Sequence, residues 1–396
     1  MSTNSKKRVL VLSTAYYPFV GGAEVAITEI TRRLGESFDF DLVTAKIRKD
    51  LPDFEKIGNV NVYRVGMGSE TIDKLLLPFR GAILINKLNY KNNYFLIWGM
   101  MVTFGTGAGY IFNIFRFFTR KRRIPIILTL QEGDSENHLT YRWFGLIALS
   151  WKLSLRLTHI VTGISTFLIQ RAKKNGFTGE AVLVPNGVDL EVFTKQFTVE
   201  EKAEMALMLN KKADEVFLVT TGRLTHKNAV DDVVRALTHL PKRVVFMVIG
   251  KGEEGHKLQA LAKELGVSDR VRFLGFLDYK DIPRYFSVCD IFIRPSRSEG
   301  FGNSFIEAMA SGLPVVATPV GGIPDFIDDK ETGIFCSPDN PQSVARAVNT
   351  LLNDKDLYIK LSNNGKRVAS TKYGWDKITE GMKDVFNKLT VNANEF

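Results

Sequence analysis

Short apolar runs rich in β-branched residues alternate with amphipathic stretches along all 396 residues of the chain. In the first half these runs predict strands at RVLVLS, FDFDLVTA, VNVYRV, FLIWGMM, IPIILTL, HIVTGIS and AVLVPN. In the second half they predict strands at VFLVTTG, RVVFMVIG, RVRFLGF, IFIRPS, PVVATP and TGIFCS. Helices are predicted at AEVAITEITRRLG, AVDDVVRALTHL, EGHKLQALAKELG, DIPRYFSVC, NSFIEAMASG and PQSVARAVNTLLN. The alternation is typical of the α/β class, with parallel sheets covered by helices on both faces.

The length and the strand pattern predict two domains. The strand signal is lost between residues 185 and 212, which places the boundary there. We therefore expect domains at 1–190 and 191–375, each large enough for its own core. The last helical stretch, about 376–396, is expected to pack back on the first domain. A hydrophobic content of 45% excludes a disordered chain.

One apolar stretch, Tyr94 to Phe115, is uncharged and nearly long enough to span a bilayer. Its middle, TFGTGAG, is rich in turn-forming residues, so we interpret the stretch as a buried strand, a glycine turn and a helix start. Membrane insertion stays open as the alternative. The two cysteines, Cys289 and Cys336, are far apart and form no CxxC, which favours a reducing compartment and a cytoplasmic location.

The net charge of +10 lies entirely in the first half. Residues 1–190 hold 25 Lys and Arg against 15 Asp and Glu, and the remaining 28 of each sign cancel. Aromatic and basic residues interleave in RFFTRKRR, Arg116 to Arg123. This run is either a solvated helix end or a surface that meets anionic lipid or an anionic acceptor. No RNP, KH or helix-turn-helix pattern accompanies the basic residues, so no nucleic-acid partner is expected.

The second half carries residues suited to binding an anion. Parallel sheets bind ligands at the carboxyl ends of their strands. After VFLVTTG come Arg223 and Lys227, a guanidinium fork and a point charge that together suit a diphosphate. After IFIRPS comes a glycine turn that leads into a helix, whose first N–H groups, at Asn303 and Ser304, would face an anion.

Two glutamates flank this helix start. Glu299 lies in the glycine-rich loop, and Glu307 follows about two helical turns later. Each alone could equally be a loop charge or a surface helix residue. Together they could accept hydrogen bonds from hydroxyls on either side of a diphosphate, which is the shape of a nucleotide-sugar.

The stretch SRSEGFGNSFIEAMASGLPVVATPVGG, with TTGRL, KN, RVRFLGF and TGIF, resembles retaining glycosyltransferases of family 4 over residues 215–340. Glu299 and Glu307 fall on the two acids of that family's E-x7-E motif. In the first half, GGAE at Gly21–Glu24 and VPNGVDLEVF at Val184–Phe193 also match. The resemblance implies the GT-B fold, in which two Rossmann-like doubly wound domains face each other across a cleft.

The resemblance also implies roles for individual residues. Glu299 would contact hydroxyls of the transferred sugar, Glu307 the ribose, and Arg223 and Lys227 the diphosphate. The implied catalytic residues are Glu299, Arg223, Lys227 and Gln131. The implied donor-binding residues form three groups. The turn at Gly21 and Gly22 approaches the phosphate, and the segments 250–252 and 275–277 line the base through Gly252, Phe276 and Leu277. The third group is Gly300, Phe301, Gly302, Asn303, Ser304 and Glu307.

Two positions depart from the family pattern. Many members have a His after the strand IPIILTL, where this chain has Gln131, which donates a hydrogen bond to a hydroxyl but cannot take a proton. Either Asp134 or His138 supplies a titrating group nearby, or none is required. With Glu24 these two residues form the expected acceptor side. The lysine follows the arginine by four residues, where many members have five.

The function implied is retaining transfer of a sugar from a UDP- or GDP-sugar to an acceptor hydroxyl, on a glycan or a lipid-linked molecule. The departing diphosphate would deprotonate the acceptor by front-face displacement. No metal or other cofactor is expected, because no DxD lies near the site and the five histidines lack ligand spacing. A nucleotide-sugar epimerase of the same fold and a binding protein without turnover are the alternatives. A peripheral position on the cytoplasmic membrane face is compatible with the charge.

Overall fold

The computed structural model describes residues 6–133 and 146–391 of the chain. Asp134 and His138, two of the expected acceptor-side residues, lie outside the described residues. The chain divides into two compact units. Unit 1 comprises Met1–Asn186 and Trp375–Phe396, and unit 2 comprises Gly187–Gly374.

Each unit contains one sheet. The strands are β1 Lys7–Leu12, β2 Phe38–Ala45, β3 Phe54–Ile57, β4 Val60–Val65, β5 Leu96–Met100, β6 Ile126–Leu130, β7 Ile160–Gly163, β8 Glu180–Leu183, β9 Val216–Thr221, β10 Val244–Ile249, β11 Val271–Gly275, β12 Ile291–Arg294, β13 Val315–Ala317 and β14 Ile334–Phe335. The eight-stranded sheet of unit 1 has the order β3-β4-β2-β1-β5-β6-β7-β8, and the six-stranded sheet of unit 2 has the order β11-β10-β9-β12-β13-β14. All neighbouring strands are parallel except β3 and β4.

Every strand expected from the sequence is present, and β3 is the addition. This strand was missed because it pairs antiparallel at the sheet edge, where its residues alternate between exposed and half-buried. Such an edge strand lacks the continuous apolar run that marks a strand buried on both faces.

Helices connect the strands. They are α1 Gly22–Leu34, α2 Glu70–Asn92, α3 Phe104–Phe118, α4 Leu146–Arg156, α5 Thr166–Lys174, α6 Leu190–Phe193, α7 Val199–Met208, α8 Val230–Ala236, α9 Gly255–Glu264, α10 Ile282–Phe286, α11 Asn303–Ala310, α12 Pro341–Asn353, α13 Lys355–Lys372 and α14 Trp375–Val391.

The sheet of unit 1 is covered on both faces. On one face α1 and α14 pack together, and the Phe386 ring of α14 meets Trp98 edge-on at 5.5 Å. On the other face α2 and α3 lie side by side over Leu10, Ile97 and Ile126. The last helix thus completes the core of unit 1 after the chain has formed unit 2.

The prediction of a glycine turn between β5 and the next helix is wrong, because the glycines lie inside α3. A Cβ at Gly105 would stand 2.6 Å from the carbonyl carbon of Ser13, and one at Gly109 would stand 2.7 Å from Leu12. The glycines therefore let the helix approach strand β1 closely. Among the residues described, no helix is long and apolar enough to cross a membrane.

In unit 2 the strand order reverses beside β9, which pairs with β10 on one side and with β12 on the other. Loops that leave neighbouring parallel strands at such a switch point open a crevice at the carboxyl edge of the sheet. The two loops concerned carry Arg223 with Lys227 and Glu299 with Gly302.

Candidate functional site

Arg297 fastens the two loops at the switch point to each other. Its backbone N–H donates to the carbonyl of Lys227 at 2.7 Å, and its guanidinium donates to the carbonyl of His226 at 2.8 Å. The same guanidinium makes ion pairs with three carboxylates, those of Asp231, Asp232 and Asp339. Burial raises the pKa of Asp232 to about 6, against the opposing charge of Arg297. The Arg223–Lys227 loop is therefore held beside the Glu299 loop.

Within the first loop, Arg223 is exposed and Lys227 is half-buried. The Asn228 side chain donates to the carbonyl of Arg223 at 2.6 Å and closes the turn. Among the described residues Arg223 has no ion-pair partner, so its guanidinium is available to an external anion.

The second loop leads into α11 with the expected geometry. Gly302 precedes the helix with a φ of 95°, a conformation that favours glycine, and has no side chain with which to cap the helix start. The hydroxyl of Ser304, in the first turn, is buried and has no hydrogen-bond partner among the described residues. A helix N-terminus with an unsatisfied buried hydroxyl is suited to an anion.

The turn at Gly321 closes over the loop from the other side. A Cβ at Gly321, where φ is 57°, would stand 1.7 Å from the carbonyl oxygen of Glu299. The N–H of Gly322 donates to that same oxygen at 3.3 Å. Gly321, the first glycine of the GG pair in the sequence motif, is thus required by backbone contact with Glu299.

Arg294 lies beneath this loop, at the end of β12, and is 6% exposed. Its guanidinium donates to Oε2 of Glu299 at 2.8 Å and to the carbonyl of Thr221 at 3.2 Å. The guanidinium also lies 4.4 Å from the ring centroid of Phe305. Burial lowers the pKa of Arg294, against the neighbouring charges of Glu299 and Glu307. Arg294 fixes one Glu299 oxygen, while the other accepts from the N–H of Gly300 at 3.1 Å.

Glu307 is half-buried on α11. Burial raises the pKa of its carboxyl to about 7, although Arg294 favours the charged form. At neutral pH the group is therefore present in both protonation states. Glu299 is held by Arg294 in a direct ion pair.

The segments expected to line a base also come together. A Cβ at Gly250 would stand 1.8 Å from the carbonyl oxygen of Gly222, and one at Gly252 would stand 2.2 Å from that of Leu224. The N–H of Gly250 donates to the carbonyl of Gly275 at 2.7 Å. The loops after β9, β10 and β11 are therefore adjacent at one edge. Phe276 is 70% exposed there, and Leu277 is half-buried.

Phe301 differs from the other expected donor-binding residues. It is 1% exposed, and its ring packs on Phe326 at 5.3 Å and on Tyr373 at 5.5 Å. Its side chain belongs to the core of unit 2, so only its backbone is placed to meet a ligand.

In unit 1, Gly21 and Glu24 close the N-terminus of α1. The N–H of Gly21 donates to Oε2 of Glu24 at 2.8 Å, and Gly22 begins the helix. Glu24 was expected on the acceptor side. Its carboxylate caps its own helix, a structural role that was not foreseen.

Gln131 lies just beyond the carboxyl end of β6. Its side-chain amide donates to Oδ1 of Asn186 at 3.3 Å. The next residue, Glu132, accepts the N–H groups of Val102 at 2.6 Å and of Gln131 at 3.1 Å, and so joins the ends of β5 and β6. Burial raises the pKa of Glu132, against these two N–H donors.

Within residues 6–133 and 146–391, no group of three or more His, Cys, Asp or Glu is placed to hold a metal ion.

Residues 202–368 match the family described as glycosyl transferases group 1. An uncharacterized glycosyltransferase of Methanocaldococcus jannaschii is 26% identical over 391 residues, which cover 96% of this chain and 97% of that protein. The chain is a glycosyltransferase.

Solved structures share the fold of this glycosyltransferase. Sucrose-phosphate synthase from Thermosynechococcus elongatus is similar at a TM-score of 0.82 and 22% identity, over 98% of this chain and 100% of that one. Anabaena HepE, solved in complex with UDP-glucose, is similar at a TM-score of 0.75 and 20% identity, over 96% of this chain and 99% of that one. The fold is of the GT-B type, with one Rossmann-like sheet in each unit.

Sequence reasoning missed three residues of the glycosyltransferase that organise its loops: Arg294, Arg297 and Glu132. The available signal for Arg294 was an arginine at the end of an otherwise apolar strand, IFIR, which is buried throughout. Such a charge needs a buried partner. Arg297 and Glu132 gave no comparable signal, because Arg297 acts through Asp231, 66 residues away, and Glu132 reaches β5 through Val102, 30 residues away.

Proposed function

We propose that this glycosyltransferase transfers a sugar, with retention, from a UDP- or GDP-sugar to a hydroxyl of a glycan or lipid-linked acceptor, without a metal. Unit 2 binds the donor and unit 1 the acceptor. The observation that carries the proposal is the switch point of unit 2, where the loop with Arg223 and Lys227 is held beside the loop that leads from Glu299 into α11. The complex of HepE with UDP-glucose supports a nucleotide-sugar donor.

The donor lies along the carboxyl edge of unit 2. Its diphosphate meets Arg223, Lys227 and the N-terminus of α11, where the Ser304 hydroxyl gains a partner. Glu307 accepts hydrogen bonds from the ribose, and Glu299 from the transferred sugar. The base lies against 250–252 and 275–277, where Phe276 offers an exposed ring.

The acceptor oxygen attacks the anomeric carbon on the face that the diphosphate leaves. One carbon–oxygen bond breaks, another forms, and the acceptor proton passes to the departing diphosphate. No protein base is needed, which agrees with Gln131 at the position where many family members have His. Arg223, Lys227 and the helix start stabilise the charge of the leaving group and take the part that a divalent cation plays elsewhere.

The test is calorimetric titration of UDP and of GDP in the presence of EDTA, with turnover measured on the matching nucleotide-sugars. We expect one nucleotide to bind tightly. Arg223→Ala should weaken its binding and lower kcat by about 100–1000-fold, as loss of an oxyanion-hole donor does. Arg243→Ala is the control, because Arg243 is also exposed but precedes β10 at the opposite edge of the sheet.

Near-normal turnover in folded Arg223→Ala enzyme, or nucleotide binding that requires a divalent cation, would contradict the proposal. Analysis of the products decides between transfer to an acceptor and epimerisation of the donor. Retention is read from the anomeric configuration of the transferred sugar.

A further inference from the structure

Helix α2 exposes an apolar stripe to solvent. Ile72, Leu75, Phe79, Ile83 and Tyr90 recur at helical spacing along one face. Their exposed fractions run from 46% to 93%. The buried residues of α2 lie on its other side, so the stripe is additional to the face that packs on the sheet.

The neighbouring helix continues this surface. Phe104, Ile114, Phe115 and Phe118 of α3 are 41–77% exposed. The two helices pack side by side, and a Cβ at Gly81 would stand 2.9 Å from Ala108. We call the exposed apolar residues of α2 and α3, with the basic residues around them, the α2–α3 face. Single exposed apolar residues are ordinary on a protein surface, whereas a cluster of this size marks an interaction site.

The segment from Lys74 to Gln131, which contains most of this face, carries positive charge only; Glu70 and Asp73 precede it on α2, where Glu70 pairs with Lys74. No Asp or Glu occurs from Lys74 to Gln131. Nine basic residues lie in that segment: Lys74, Arg80, Lys87, Lys91, Arg116, Arg120, Lys121, Arg122 and Arg123. This segment alone therefore contributes +9, against a net charge of +10 for the whole chain. The partner of the face must therefore offer both an apolar layer and negative charge.

A cavity of about 280 Å³ adjoins the face at the end of α3. Ile114, Phe117 and Phe118 form its apolar wall, and the guanidinium of Arg123 lies 5.8 Å from the Phe117 ring centroid. The lining of the cavity includes Ile126, which is the first residue of β6, whereas Gln131 follows the last residue of that strand. The cavity is thus at the opposite edge of the sheet from Gln131 and is separate from the site described above.

We propose that the α2–α3 face docks the protein on a bilayer that contains anionic phospholipid. The exposed rings and aliphatic side chains enter the boundary between headgroups and acyl chains, and the cluster Arg120–Arg123 meets the lipid phosphates. An apolar layer bordered by anionic groups is what such a bilayer offers. The inference goes beyond sugar transfer, because no residue of the donor site takes part.

The experiment is flotation of the full chain with vesicles of phosphatidylcholine, alone or mixed with phosphatidylglycerol. The wild-type protein should float with the mixed vesicles at low salt, remain behind with pure phosphatidylcholine, and bind less at high salt. The pair Phe79→Ser with Phe118→Ser should lower binding about tenfold or more, because two exposed rings are lost. The triple variant Arg120→Glu, Lys121→Glu and Arg122→Glu should do the same through charge.

Unit 2 supplies matched controls. Leu207→Ser with Met208→Ser removes two exposed apolar residues, and Lys242→Glu, Arg243→Glu and Lys263→Glu reverse three exposed charges. Both controls should float as the wild type does, and every variant should keep its nucleotide binding. The proposal is overturned if the wild type ignores anionic vesicles at low salt, or if its binding survives both variants of the face. It is also overturned if the wild type is a dimer that Phe79→Ser with Phe118→Ser converts to a monomer, because the face then meets a second copy.

Discussion

Arg294→Met tests whether Arg294 holds Glu299 in place. The substitution removes the buried cation and keeps an apolar side chain of similar length. Loss of one partner of a buried ion pair costs about 3–5 kcal/mol. The Glu299 side chain is 15% exposed and still accepts a hydrogen bond from the N–H of Gly300. We therefore expect the lower end of this range, a loss of about 3 kcal/mol in the unfolding free energy of unit 2.

A double-mutant cycle isolates the contact between the two side chains. Glu299→Gln alone leaves the Arg294 guanidinium with the carbonyl of Thr221 and the ring of Phe305. Once either partner is gone, removing the other should cost little more. We therefore expect the double variant to be about 2 kcal/mol more stable than the sum of the single changes predicts.

The chain offers an internal reference for the assay. Trp98, Trp151 and Trp375, the tryptophans that the structure describes, all belong to unit 1, and the fourth, Trp143, lies outside the described residues. In urea unfolding, tryptophan fluorescence therefore follows unit 1, while far-ultraviolet circular dichroism follows both units. The Arg294 and Glu299 variants should shift the transition seen only by circular dichroism. Arg346→Met, an exposed change on α12, should shift neither.

Additivity of the two single changes to within about 0.5 kcal/mol would refute the reasoning, because independent sites behave in that way. A shift of the fluorescence transition would refute it too, since the damage would then extend to unit 1. If Glu299 meets the sugar as proposed, Arg294→Met should also weaken binding of the nucleotide-sugar more than that of the free nucleotide.

Two further predictions concern titration and loop position. Burial raises the pKa of Glu307 to about 7 in the folded protein, whereas in the unfolded chain the carboxyl releases its proton near pH 4.5. The unfolding free energy of unit 2 should therefore fall by up to about 3 kcal/mol as the pH rises from 4.5 to 7. Glu307→Gln should remove that part of the pH dependence, as seen by urea midpoints at several pH values, and an unchanged profile would contradict the assignment. Arg297→Met removes the side-chain bond to the His226 carbonyl and the ion pairs with Asp231 and Asp232, and keeps only the backbone bond to Lys227. The KM for the donor should therefore rise several-fold more than kcat falls, with Arg346→Met as the control. An unaltered KM in a folded Arg297→Met enzyme would show that the Arg297 side chain is not needed to position Lys227.

The strands were predictable because a parallel sheet buried on both faces requires long apolar runs. The glycines of α3 were misjudged for the opposite reason. Locally they favour a turn, but their role is set by the distance to Ser13 and Leu12 on another strand, which no short window of sequence contains. The same limit explains Arg297, which acts through carboxylates of α8 and the carbonyls of a distant turn. Loop motifs with glycine, by contrast, were interpretable because φ at Gly302 and Gly321 restricts the residue type locally.

The return of α14 to unit 1 has a consequence for how the protein is made. A chain emerging from the ribosome exposes the first sheet early, yet Trp375, Phe386 and Leu389, which fill one side of that sheet, arrive only after unit 2 has been synthesised. Domains generally fold in the order of their synthesis. Here the order is inverted, since the unit that starts first has to wait for the last helix. The part of its apolar surface that α14 covers therefore stays exposed throughout translation of residues 187–374, while α1 can already cover the rest of that face.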